Sequence, residues 1–187
     1  ANGESTYSLS LQILILMTVL TVIPSIVLGM TAFTRIIIVL SILRQALGTQ
    51  QTPPNQVLIA IALFLTFYVM SPLFDVLYQV TINPYLEGIK SAQTALTEAT
   101  NLLKDFMIVN TRVDTLNQFA EMAGKGPFED NSSIPLSIVL PSFITSELKT
   151  AFEIGFLIFL PFLVIDMVIA SILMSLGMMM LSPMLIS

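Results

Sequence analysis

Residues 44–56, RQALGTQQTPPNQ, contain one charge, no acid and no aromatic, and they lie between two of the most apolar runs of the chain. Gly48 is placed to end the helix before it, because the position just past a helix C-terminus commonly adopts positive φ, which glycine tolerates. Pro53-Pro54 stiffens the bend, and Thr52 or Asn55 is available to cap a helix starting near Val57. The amides Gln45, Gln50, Gln51, Asn55 and Gln56 can bond to backbone groups of neighbouring helices without burying charge. Two long apolar segments joined by a short, stiff bend make a helical hairpin, and the fold class follows as all-α.

Working outward, residues 7–43 carry a single charge, Arg35. That length exceeds one bilayer crossing of roughly 20 residues, and Pro24 and Gly29 interrupt it. The pattern predicts a helix over 9–30, bent near Pro24, then a second helical piece carrying Arg35. On the other side of the bend, residues 57–80 are clean as far as Met70, where Ser71-Pro72 is expected to break the helix. Residues 1–80 therefore read as an N-terminal apolar hairpin.

Residues 81–133 hold eleven of the nineteen charges of the chain and form the one polar unit. Asn83-Pro84 reads as an N-cap with proline at the first helical position. Ala92, Ala95, Leu96, Ala99, Leu102, Leu103 and Phe106 repeat at three- and four-residue steps, the period of an amphipathic helix. A second helix is expected from about Thr111, with Asp114 as the acid of a capping box. Residues 124–133 read as a loop. The third region, 134–187, is apolar, carries Pro135, Pro141, Pro161 and Pro183, and ends in a methionine-rich stretch.

Composition places the whole chain in the membrane class. Of 187 residues 55% are hydrophobic and 10% charged, with a mean hydropathy of +0.90; a soluble domain carries about 25% charged residues. A net charge of -5 and few scattered bases argue against nucleic acid as a partner. The chain has no Cys and no His, which removes thiol nucleophiles, Cys/His zinc sites and Ser-His-Asp triads. No cofactor is implied. Positive-inside bias puts the short loop with Arg44 in the cytoplasm and the acidic polar unit outside. The chain opens on Ala1 rather than Met, the pattern left by a removed leader or by a trimmed chain.

Charges within apolar runs cost on the order of 3 kcal/mol at a bilayer centre, so each needs a reason. They are Arg35, Glu147, Lys149, Glu153 and Asp166. One reading is a proton or ion relay; the other is that they pair between helices or subunits. Lys149 and Glu153, four apart, can meet on one helix face as a structural pair. Ser146 beside Glu147 and Lys149 is explained by a helix start, so an enzyme is not expected. Met174, Met178, Met179, Met180 and Met184 gather five of the eleven methionines. Such a cluster either fills a core or forms a deformable seal. Phe106 and Phe119 sit on the amphipathic helices, to pack within that pair or against a neighbouring subunit.

Three long ordered stretches, FTRIIIVLSILRQALGTQQTPPNQVL from Phe33, ALFLTFYVMSPLFD from Ala62 and SELKTAFEIGFLIFLPFLVIDMVIASILMSLGMMM from Ser146, resemble the FliP family of flagellar export-gate proteins. The resemblance implies a subunit of the flagellar type III export apparatus in the bacterial inner membrane. Several copies, a pentamer in that family, would assemble with FliQ, FliR and FlhB into a pore for unfolded flagellar proteins. It places the methionine constriction on Met178, Met179 and Met180. It also implies a further apolar segment beyond Ser187, opening with Pro-Phe-Lys, whose lysine would pair with Asp166. The virulence-type secretion homologue shares this architecture. A small-solute transporter built on Arg35 and Asp166 would instead show internal repeats, and the sequence has none.

Overall fold

The computed structural model describes residues 3–49, 51–126, 128 and 130–177, all helix or connecting turn. In chain order the helices are α1 (Gly3–Gly29), α2 (Phe33–Ala46), α3 (Asn55–Leu77), a π-turn (Tyr78–Ile82), α4 (Asn83–Leu86), α5 (Ala92–Asn110), α6 (Val113–Met122), a 3-10 turn (Asn131–Ser133) and α7 (Leu136–Ser175). Among the described residues, three stretches are long and apolar enough to cross a membrane: Leu9–Gly29, Asn55–Leu86 and Leu136–Ser175. The expected division between α1 and α2 is present. Met30, Thr31 and Ala32 form a buried bend between them, with the Thr31 hydroxyl donating to the Leu28 carbonyl and accepting from the Phe33 amide.

The expected break at Ser71-Pro72 does not occur; α3 continues to Leu77 with Pro72 inside it. Proline removes the amide that would donate to the carbonyl four residues back, here that of Tyr68. The Ser71 hydroxyl donates to that carbonyl at 2.9 Å, so the residue taken as part of the break is what mends it. Pro141 and Pro161 likewise lie within a single α7 of 40 residues. The short α4 does begin at Asn83-Pro84, but Asn83 is not its cap: it follows the π-turn with helical φ and ψ as the first residue of α4, with no side-chain cap bond. The side-chain cap is found at the next helix, α5, where the Ser91 hydroxyl accepts from the Thr94 amide.

The capping box expected at Thr111 is also absent. The Thr111 hydroxyl donates back to the Met107 carbonyl at 2.6 Å, and α6 starts after Arg112 without a side-chain cap. Asp114 does lie in its first turn, where an acid suits the helix dipole.

In the middle of the molecule α7 packs against α2 on one side and against α5 and α6 on another, while α3 folds back on α2. One apolar core joins Met30 with Met107, Ile108, Ala120, Ile134, Ile138, Val139 and Phe143. The polar unit thus shares its core with α7 and the α1–α2 bend, as a segment of about fifty residues must when it cannot bury enough surface alone. At the α2–α7 crossing Gly155 permits a close approach: a Cβ there would run into Ile42 Cδ1 and lie 3.1 Å from its Cγ2, so the Ile42 side chain would have to shift.

Candidate functional site

Three of the charges singled out in the apolar runs, Glu147, Lys149 and Glu153, lie on a short stretch of α7, and Arg35 reaches the first of them. Arg35 on α2 grips Glu147 with two parallel bonds, Nε to Oε2 at 2.7 Å and Nη2 to Oε1 at 2.6 Å. The Glu147 side chain is 2% exposed and that of Arg35 34%. This fork geometry is the strong form of a charge-assisted pair, and it answers the cost of placing either charge among apolar helices. Of the two readings for Arg35 and Glu147, the geometry is that of a pair between helices.

Six residues further along, Glu153 does not meet Lys149. Its carboxylate pairs with Arg112, at the turn between α5 and α6. The Arg112 amide also donates to Ser146 Oγ at 3.0 Å, and its guanidinium reaches Thr150 Oγ1 at 3.5 Å. The i,i+4 expectation fails because Arg112 brings a planar, multiply donating cation to the same carboxylate and fixes a helix start at the same time. Lys149 is exposed, and among the described residues it has no ion pair. Asp166 is partly exposed and likewise has none among them.

Phe106 packs edge-to-face on Phe143, with ring centroids 6.1 Å apart, and Phe119 packs against the same core. Both aromatics therefore serve the contact of the polar unit with α7. Arg112 was not among the residues singled out from sequence. Its only signal is being the one cation at the junction of two amphipathic helices, and nothing local points from it to a residue 41 positions away.

At the bend, Gly48 adopts φ 70° and its amide donates to the Gln45 carbonyl, closing α2 as expected. Asn55 does not cap α3. Its Oδ1 accepts from Arg44 Nη1 at 2.7 Å, and the same guanidinium nitrogen lies 3.2 Å from the Pro53 carbonyl. Arg44 thus clips the end of α2 to the start of α3, and Pro54 occupies the N-cap position with extended ψ. Gln51 is exposed beside the prolines. In the loop before α7, the Ser132 hydroxyl bonded to Asp130 holds that carboxyl below the usual carboxylate range.

Past α7, Gly177 with φ 75° ends the helix. Met178, Met179 and Met180 lie outside the described residues.

Residues 16–187 match the FliP family. The chain belongs to that family. Among its curated relatives, the flagellar biosynthetic protein FliP of Cereibacter sphaeroides is 66% identical over 186 residues, covering all of this chain and 62% of the relative. That of Buchnera aphidicola subsp. Baizongia pistaciae is 49% identical over 187 residues, all of this chain and 52% of the relative. That of Bacillus subtilis is 49% identical, all of this chain and 85% of the relative. The chain spans from about half to about three-fifths of the length of the first two. For a FliP-family chain, the pairings Arg35–Glu147 and Arg112–Glu153 are the features that organise the helices around one stretch of α7.

Proposed function

We propose that this chain is a pore-forming subunit of the flagellar protein export gate, passing unfolded flagellar proteins across the bacterial inner membrane. The observation that carries the reading is the match to the FliP family over residues 16–187, joined by full-chain similarity to flagellar biosynthetic proteins. The fold is compatible with it. Of its charged groups in apolar helices, Arg35 and Glu147 are tied to each other and Glu153 to Arg112. Large apolar surfaces on α1, α3 and α7 are bare, and further copies together with FliQ, FliR and FlhB are the partners that would cover them. The short bend with Arg44 faces the cytoplasm and the polar unit lies outside it.

In this reading Met178, Met179 and Met180 from each copy form a ring at the narrowest point of the pore. Unbranched thioether side chains can repack around differing shapes, so the ring closes against ions and water and yields to a passing polypeptide. Replacing all three with Ala in the full-length protein tests it. Ion leakage across the membrane should rise and flagellin export should lose selectivity or rate, measured in the same strain. Unchanged leakage together with unchanged export contradicts the seal.

A further inference from the structure

Where α3 gives way to the polar unit, the chain has lost a backbone donor. In an α-helix the Val80 carbonyl would accept from the amide of residue 84, and that residue is Pro84. The backbone widens there into the π-turn Tyr78–Ile82, with the Asn83 amide reaching back to the Tyr78 carbonyl. A charged donor takes up the Val80 carbonyl: Lys90 Nζ lies 2.8 Å from it. The same ammonium is 2.6 Å from Glu98 Oε2 on α5. With the lysine side chain 26% and the glutamate 34% exposed, this is a partly shielded, charge-assisted tie.

The rest of that junction is loosely filled. Ala92, Ala95 and Ala99 of α5 face Thr81, Ile82 and Tyr85 across an apolar groove of about 380 Å3. Helical hydroxyls elsewhere, such as those of Thr66, Thr111 and Ser142, donate to the carbonyl four residues back at 2.6 Å. The Thr81 hydroxyl, buried in the π-turn, has no partner among the described residues. The other side of the polar unit is different. Met107, Val139 and Phe143 are fully buried between α5 and α7, and Arg112 adds its pair with Glu153.

We propose that residues 78–91 are a hinge and that Lys90 is its latch. Lys90 stands in for the amide that Pro84 lacks and ties the π-turn to α5, while the polar unit stays fastened to α7 by its own core. Opening the latch frees the end of α3 from the polar unit and leaves the α5–α7 packing intact.

This chain has no cysteine, so pairs of spin labels can be placed in it within the full-length protein in detergent, once any cysteine elsewhere in that protein is replaced by serine. One pair at Tyr68 on α3 and Val109 on α5 reports on the hinge; a second at Val109 and Met167 reports on the polar unit against α7. The three labelled positions, Tyr68, Val109 and Met167, are exposed. Lys90→Met should widen the first distance distribution about two-fold or more and leave the second unchanged. Pro84→Ala gives residue 84 an amide again, so adding it to Lys90→Met should narrow the first distribution. A hinge distribution unmoved by Lys90→Met, equal widening of both pairs, or failure of Pro84→Ala to narrow it would each overturn the proposal.

Discussion

Along α7, residues 136–151 bury Ile138, Val139, Ser142, Phe143, Ser146, Glu147 and Ala151, whereas beyond them only Gly155 and Leu173 are buried. Phe152, Phe156, Leu157, Val164, Met167 and Val168 of the second part all stand more than half exposed. Both parts are apolar enough to belong to a membrane-length helix, so composition does not distinguish them. What does is the placement of small and hydrogen-bonding residues. Ser142, Ser146, Ala151 and Gly155 let neighbouring backbones approach, and Glu147 supplies a partner for a cation on the helix that arrives. Beyond Gly155 the second part is mostly bulky, with only Ala170, Ser171 and Ser175 small, and it buries Leu173 alone. Covered and uncovered apolar surface are therefore written in the gaps between large residues more than in the large residues themselves.

The strongest way to break the covered half is through its buried pair. Glu147→Ala leaves Arg35 without its carboxylate among apolar helices and should cost about 3 kcal/mol, the low end for a buried pair because Arg35 keeps some solvent. Chemical unfolding in detergent measures it. Replacing both residues with Met should cost less than Glu147→Ala alone, since no charge is then stranded; an additive loss in the double variant would mean the pair is not coupled. The same test applied to Arg112→Met, where Glu153 is half exposed, should give only about 1 kcal/mol or less. Equal losses at Glu147 and Arg112 would erase the distinction between the inner and the outer tie.

The second prediction concerns the close approach. Gly155→Ala places a methyl against Ile42 and should destabilise by about 1–3 kcal/mol through overpacking. Ile42→Ala added to it should recover part of the loss, because the clash and the cavity offset one another. If Gly155→Ala is neutral, α2 and α7 are not held at that spacing.

How far the sequence reaches follows from which forces are local. The bend at 44–56, the closure of α2 at Gly48 and the split between α1 and α2 depend on neighbouring residues and were readable from them. Prolines misled for a physical reason: a lost amide breaks a helix only where nothing replaces it. Ser71 replaces it for Tyr68, and Lys90 does so for Val80. Of the charged residues in the apolar runs, Arg35, Glu147 and Glu153 have partners, whereas Lys149 and Asp166 have no ion pair among the described residues, and Arg35 and Glu147 are 112 positions apart. No spacing rule spans that distance. The i,i+4 rule chose Lys149 for Glu153 because it sees only one helix, while Arg112 comes from another. Family resemblance supplied what neither periodicity nor composition contains, the role expected of Met178, Met179 and Met180.

The uncovered half of α7 and the exposed residues 9–27 of α1 carry the central claim, that this chain completes its packing against other subunits of an export gate. The direct measurement is the mass and symmetry of the full-length protein extracted in mild detergent. A single population containing several copies in a repeating arrangement, heavier than one chain and its micelle, is the predicted result. A monodisperse particle holding one copy would contradict it.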